Sequence, residues 1–377
     1  MTLTGFVLLY IAATIAIGVI AATRVKNTSD FALAGRSLPL PMVITATFAT
    51  WFGSETILGL PGRFIESGIA GVIEEPFGSG MALILVGTFF AHKLYKQNIL
   101  TLGDYYRDRY GRSVELLCSV AIVISYLGWV GAQVTALGLV INLITEGAVS
   151  MTTGMVIGAA VVLAYTMVGG MWSVAMTDFV QMIVIVVGLV AILWFATDLA
   201  GGMDKVVDYA RGRDLFHAFP EPTTTGWLFW ISAAMTMMIG SIPQQDVFQR
   251  VMSAKNLPTA VAGPILGGSF YILFAFVPMF IVVAAILVMP DAAEKMLSED
   301  PQQLLPTLVR DYMPMWLRVV FFGAVLSAVM STASATMLAP STIFVENVLR
   351  HFMKIDDRNM LRAMRLSVAV FAVCVLS

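Results

Sequence analysis

The chain has 377 residues, of which 58% are hydrophobic and only 12% charged. An average soluble chain carries about 25% charged residues, so too little polar surface exists to cover this one in water. That disfavours a soluble globular enzyme, a disordered chain and a nucleic-acid binder. The formal net charge of −2, from 22 Lys and Arg against 24 Asp and Glu, implies no global electrostatic partner.

A helix needs about 20 apolar residues to cross a bilayer. Such runs are predicted at 4–23, 40–60, 69–92, 114–143, 149–170, 174–199, 226–248, 259–289 and 314–345, with a tenth from 363 onward. The first run lacks an A-x-A cleavage site and is too long for a signal core, so it is read as a span. The second, PLPMVITATFATWFGSETILGLPG, is rich in Thr, Ser and Gly and carries Glu55 near its centre. Gly53-Ser54 in mid-run predicts an unwound stretch. Backbone freed at membrane depth needs a cavity, a partner or a cation.

In the third run, Glu74 and Glu75 precede Pro76, facing either an outer vestibule or the interface. Asp178 lies within a turn or two of the start of the sixth run. It is either a functional intramembrane acid or an interfacial one held by the helix dipole. Gln244, Gln245, Asp246 and Gln249 close the seventh run, where Pro243 predicts a kink. They line a polar cavity or mark a cytoplasmic exit.

The ninth run offers Ser327, Ser331, Thr332, Ser334 and Thr336, with Ala328 one turn before the adjacent pair Ser331-Thr332. Two hydroxyls and three main-chain carbonyls would satisfy the roughly five oxygens of a dehydrated Na⁺, and broken helices supply such carbonyls in secondary transporters. The same residues also serve as helix-packing glue. The tenth run stops at Ser377 after about four turns, too short to cross, so the sequence is read as continuing beyond it.

Fifteen of the 22 Lys and Arg fall on the loops after spans 1, 3, 5, 7 and 9, among them Arg250, Lys255 and Lys354; seven fall on the others. The positive-inside rule then places the N-terminus outside and the long loops around 200–225 and 290–313 on the outer face. With no linker, low-complexity tract or charge block, one polytopic domain is expected. H-E-x-x-H, G-x-S-x-G, Walker A and G-x-G-x-x-G motifs do not occur, and His92, His217 and His351 are scattered, so no enzyme is expected. Cys118 and Cys374 make neither a disulfide framework nor a metal site.

Five stretches, in order along the chain, resemble the sodium:solute symporter family. They are SDFALAGRSLP (29–39), TLGDYYRDRYG (101–111), AYTMVGGMWSVAMTDFVQ (164–181), PQQDVFQRVMSAKN (243–256) and AVMST (328–332). The resemblance implies an all-α polytopic membrane protein with a LeuT-like bundle of two inverted five-helix repeats and one extra N-terminal helix. Residues 1–39 would be that helix and its loop, 40–200 the first repeat and 226–377 an incomplete second repeat. It implies Na⁺ as coupling ion, with carbonyls from Ala49, Phe52 and Ala328, hydroxyls from Ser331 and Thr332, and Asp178 in ion coupling or release. The solute is expected beside the ion, with Trp51, Ser54, Glu55, Thr56, Glu75 and Gln244 as candidate contacts. Span 8 lacks the lysine that sugar-type members place there; aromatics and an acid suit an amine through cation–π contacts. The expected function is Na⁺-coupled symport of a small organic solute, amino-acid-like or amine-like, in a bacterial inner membrane. No nucleic-acid or obligate protein partner is expected. The alternatives are a transporter-like sensor fused to signalling domains, an uncoupled channel, or a proton-coupled carrier using Asp178 and Glu55.

Overall fold

The computed structural model describes residues 3–353 and 356–376. Lys354, counted among the bases above, and Ser377 lie outside the described residues. In chain order, α1 spans Leu3–Ala22, α2 Leu40–Trp51 and α3 Leu60–Ser67. Next come α4 at Ile69–Gln97, α5 at Leu102–Tyr110, α6 at Arg112–Ile144 and α7 at Met151–Leu199. Then follow α8 at Thr224–Gly240, α9 at Gln245–Met252, α10 at Leu257–Val288, α11 at Met315–Phe352 and α12 at Asp357–Leu376. Among the described residues seven helices are long and apolar enough to cross a membrane, or eight when the bent pair α8–α9 counts as one. The protein is therefore built as a multi-pass membrane protein.

Two apolar runs are broken where their sequences weaken the helix. α2 ends at Trp51, and Phe52 leaves helical geometry at φ −74°, ψ 73°. Gly53 N–H turns back to the Trp51 carbonyl at 2.8 Å, two residues away, so the regular ladder is interrupted. A wide helical turn over Glu55–Gly59 then leads into α3. The second break separates α8 from α9, which are bent by 45°. Pro243 sits in it and has no N–H to carry the ladder onward. The residue leading into α2 is tied to the segment that follows α9: Leu38 N–H donates to Ser253 O and Lys255 N–H to Leu38 O, both at 2.9 Å.

The runs expected at 149–170 and 174–199 are joined with no loop. Their common helix α7 has 49 residues, which would measure about 74 Å if straight, more than twice a hydrocarbon core. Gly170, at φ 50° and ψ −138°, divides it. A Cβ there would lie 2.3 Å from the Phe31 carbonyl oxygen, so glycine permits both the turn and the close approach of the Thr28–Leu33 helix. The long loops also carry short helices, at Met203–Gly212, Pro290–Glu299 and Leu304–Tyr312. The last helix begins at Asp357 rather than 363, because polar residues extend its first turn outward from the apolar run.

The core sits around α11. Its most apolar window is 83% buried, against 22% for α1, which lies at the periphery. At one end, Asn347 of α11 donates to Asp104 of α5 at 3.1 Å and to Glu115 of α6 at 2.9 Å, and accepts from Thr101 at 2.6 Å. That buried amide ties three elements together.

Candidate functional site

The middle of α11 crosses the broken end of α2. Ser331 and Thr332, adjacent in sequence, each aim a hydroxyl at the Ala49 carbonyl, at 3.3 Å in both cases. Ser331 Oγ also donates to Asp178 Oδ1 of α7 at 2.5 Å. A carbonyl, two hydroxyls and a carboxylate oxygen thus converge, all on buried residues. Phe52, where the helix unwinds, and Ala328, one turn before Thr332, are both 0% exposed. The approach of the two helices depends on Gly53: a Cβ there would lie 2.8 Å from Thr332 Oγ1 and 3.3 Å from Gln133 Oε1.

Asp178 is 0% exposed, so it is enclosed by protein rather than facing solvent. Its counter-charge is Arg250, whose Nη2 lies 3.8 Å from Asp178 Oδ2. The charge count places Arg250 on a loop, whereas the structure places it inside α9, 1% exposed. α9 restarts after the break with its eight residues all buried, and the guanidinium is satisfied locally. Its Nε donates to Ala46 O and its Nη1 to Asp246 O, both at 2.9 Å.

Next to this cluster is a cavity of about 320 Å³. Of the expected solute contacts, Trp51, Glu55, Glu75 and Gln244 line it. Thr332 lines it too, so the oxygen cluster and the cavity share a wall. Ser54 and Thr56 are not in the lining. Ser54 donates to Gln133 Oε1 at 3.4 Å. Thr56 is buried behind the wall, donating to Glu75 Oε1 at 2.7 Å and lying 3.1 Å from the Tyr271 hydroxyl. Tyr271 also donates to Glu75, so this carboxylate is held by two hydroxyls. Glu55 is not the deep mid-span acid its sequence position suggested. The wide turn at Glu55–Gly59 leaves its side chain 61% exposed, ion-paired with Arg63 at 2.7 Å.

Sequence reasoning missed the wall contributed by α6: Ser125, Tyr126, Trp129 and Gln133. Ser125, Trp129 and Gln133 are spaced i, i+4, i+8 and share one helix face. The available signal was Gln133, an amide within the apolar run AIVISYLGWVGAQVTALGLV and only 4% exposed. Tyr126 stacks on Trp129, with centroids 5.8 Å apart and planes at 28°, and its hydroxyl donates to Asp246. Two wall residues keep buried polar atoms without a partner, Trp51 Nε1 and Gln244 Oε1. An amide or indole left so in a native interior is satisfied by water or a ligand.

Two broken helices, a buried oxygen cluster where one of them meets an intact helix, and a cavity sharing its wall define the class: a multi-pass helical bundle of the LeuT fold. The chain belongs to the sodium:solute symporter family, whose profile matches residues 31–377. It is 29% identical over 378 residues to the human high affinity choline transporter 1, covering 94% of this chain and 63% of that one. It is 26% identical to a zebrafish sodium/glucose cotransporter 4, covering 91% of this chain and 57% of that one. The chain thus spans about three-fifths of the length of these relatives. A solved Na⁺-coupled sialic acid symporter, in a substrate-bound outward-open state, superposes with a TM-score of 0.88 at 19% identity, covering 100% of this chain and 80% of that one.

Proposed function

We propose that the chain performs Na⁺-coupled symport of a small organic cation, with its N-terminus outside, in a bacterial inner membrane. The observation that carries this reading is the convergence of the Ser331 and Thr332 hydroxyls on the Ala49 carbonyl beside Asp178. Thr332 gives its hydroxyl proton to the Ala49 carbonyl, and Ser331 gives its one proton to Asp178 Oδ1, the shorter of its two contacts. A bound Na⁺ takes that carbonyl and both hydroxyl oxygens as neutral ligands, while Asp178 supplies the nearby negative charge. Phe52 and Ala328 are the residues whose carbonyls would complete the shell. Bridging α2 and α11, the ion holds the broken end of α2 in place and thereby fixes Trp51, Gly53 and Thr332 on the cavity wall.

The solute class follows from that wall. The aromatic residues Trp51, Tyr126 and Trp129 and the carboxyl-bearing Glu55 and Glu75 line it. A quaternary or primary amine over a desolvated aromatic face gains up to about 2 kcal/mol. The names of the choline-transporter relatives agree with that chemistry. Α sugar is a poorer fit, because residues 259–289 carry no charged side chain where sugar-type members of the family place a lysine. The basic-residue asymmetry supports the outside N-terminus. Each positive charge carried inward gains about 2.3 kcal/mol per 100 mV of membrane potential.

The deciding experiment uses the chain reconstituted in proteoliposomes with radiolabelled choline as probe, beside panels of amino acids, carboxylates and sugars. An inward Na⁺ gradient should drive choline accumulation, and replacing Na⁺ by K⁺ should abolish it. Equal uptake driven by a pH gradient in Na⁺-free vesicles would overturn Na⁺ coupling. Accumulation of another solute class instead would overturn the cation assignment.

A further inference from the structure

Among the described residues, Arg250 is the largest fully buried side chain. Burying a guanidinium is costly unless it is well paired, yet this one is only partly paired. Nε and Nη1 are hydrogen-bonded, whereas Nη2 has no hydrogen-bond partner. The Asp178 Oδ2 atom 3.8 Å away has none either. The two charges therefore face each other across a gap that neither closes. Asp246 repeats the pattern: one carboxylate oxygen accepts from Tyr126, and Oδ2 is without a partner. Asp246 N–H also donates to the Tyr126 hydroxyl at 3.1 Å.

These contacts form one connected series from the ion cluster to the cavity. Ser331 of α11 bonds Asp178 of α7; Asp178 faces Arg250 of α9; Arg250 bonds the Asp246 main chain; Asp246 bonds Tyr126, which stacks on Trp129 in the cavity wall. Arg250 also grips Ala46 O in α2, one turn before the Ala49 carbonyl. One guanidinium thus touches the elements that hold the ion and the residue that holds the wall.

We propose that Arg250 is the positioning residue through which occupancy of the ion site is felt in the solute pocket. The inference rests on the symport reading above. A monovalent cation among Ala49, Ser331 and Thr332 adds a second positive charge beside Asp178. It draws the carboxylate and repels the guanidinium, so the unclosed Asp178–Arg250 contact opens. Arg250 Nη2 then satisfies the free oxygen of Asp246. With its charge shared, Asp246 releases the Tyr126 hydroxyl, which turns to the cavity and its solute. By linkage, solute held by Tyr126 favours the same arrangement and tightens the ion by the same factor.

The test measures equilibrium choline binding to the full chain in nanodiscs, without Na⁺ and at saturating Na⁺, in wild type, Arg250→Lys, Arg250→Gln and Tyr126→Phe. Na⁺ binding alone is read by Na⁺-dependent thermal stabilisation. Wild type should show a Na⁺-induced gain in choline affinity in the range of about 5–150-fold. Arg250→Gln and Tyr126→Phe should reduce that gain to about twofold or less, Arg250→Lys should retain part of it, and Tyr126→Phe should still be stabilised by Na⁺. A role confined to packing would lower stability but leave the ratio of the two affinities intact. If Arg250→Gln does not fold, Tyr126→Phe decides, because it keeps the buried pair and the aromatic ring. A wild-type ratio in Tyr126→Phe overturns the relay alone. Wild-type choline binding that ignores Na⁺ overturns the symport reading and the relay with it.

Discussion

Thr332 belongs to both the oxygen cluster and the cavity wall, whereas Ser331 belongs only to the cluster. The two hydroxyls should therefore fail differently. Ser331→Ala removes one of the proposed ion ligands and the proton donor to Asp178. Losing such a bond costs about 1–3 kcal/mol, or roughly 5–150-fold in affinity. Its Na⁺ half-saturation for uptake should rise by about that factor, with solute affinity at saturating Na⁺ near wild type. Thr332→Ala should weaken both. Uptake titrated separately against Na⁺ and solute checks this, and identical profiles for the two variants would contradict the shared wall. Both hydroxyls were legible in the sequence, because adjacent Ser and Thr in an apolar run stand out against lipid-facing residues. Arg250 was not, since a base ten residues beyond Gly240 reads as a loop unless the helix is known to restart and bury it. Gln133 was also missed: a single amide in the 33-residue α6 makes little mark on its average hydropathy.

Breaks and hinges set the positions of the elements. The unwinding of α2 at Phe52–Ser54 and the bend before α9 were both foreseeable, from Gly53-Ser54 and from Pro243, because each weakens the helix locally. The division of α7 at Gly170 agrees with the two apolar runs read at 149–170 and 174–199, since Gly169-Gly170 between two hydrophobic stretches reads as a connecting turn. The packing against Phe31 shows that the turn takes a single non-helical residue. Gly170→Ala should therefore be severe. A side chain at φ 50° and ψ −138° costs about 1–3 kcal/mol in backbone strain, and the 2.3 Å approach to Phe31 O adds a clash with main chain that cannot rotate away. The variant should lose thermal stability by several degrees or fail to accumulate, as read by size-exclusion profiles after heating. Gly128→Ala, at a position with open space around it, is the matched control and should behave as wild type. Equal behaviour of the two would mean that Gly170 does not set the turn.

For the whole molecule, the symport reading requires a defined orientation, since coupling to an inward gradient has meaning only if the ion enters from the correct side. Membrane insertion leaves its record in the loops: with Arg250 set aside as buried in α9, fourteen bases fall on one set against seven on the other. The loops that carry few bases also hold the short helices Met203–Gly212 and Leu304–Tyr312, where Arg310 and Asp311 pair at 2.7 Å. That pairing holds the Asp311 carboxyl below its ordinary range and offsets one of the few bases there. The opposite end carries Arg107, Arg109 and Arg112 and the Asn347 network joining α5, α6 and α11. Two exposed positions separate the faces: Glu221, in the segment before α8, and Arg109, in α5. In a background with Cys118→Ala and Cys374→Ala, Glu221→Cys should react with a membrane-impermeant maleimide in intact cells, and Arg109→Cys only after permeabilisation. The reverse pattern would invert the bundle. The proposed loading of the oxygen cluster from outside would then fail, and inward Na⁺ coupling would have to be replaced by export or by exchange.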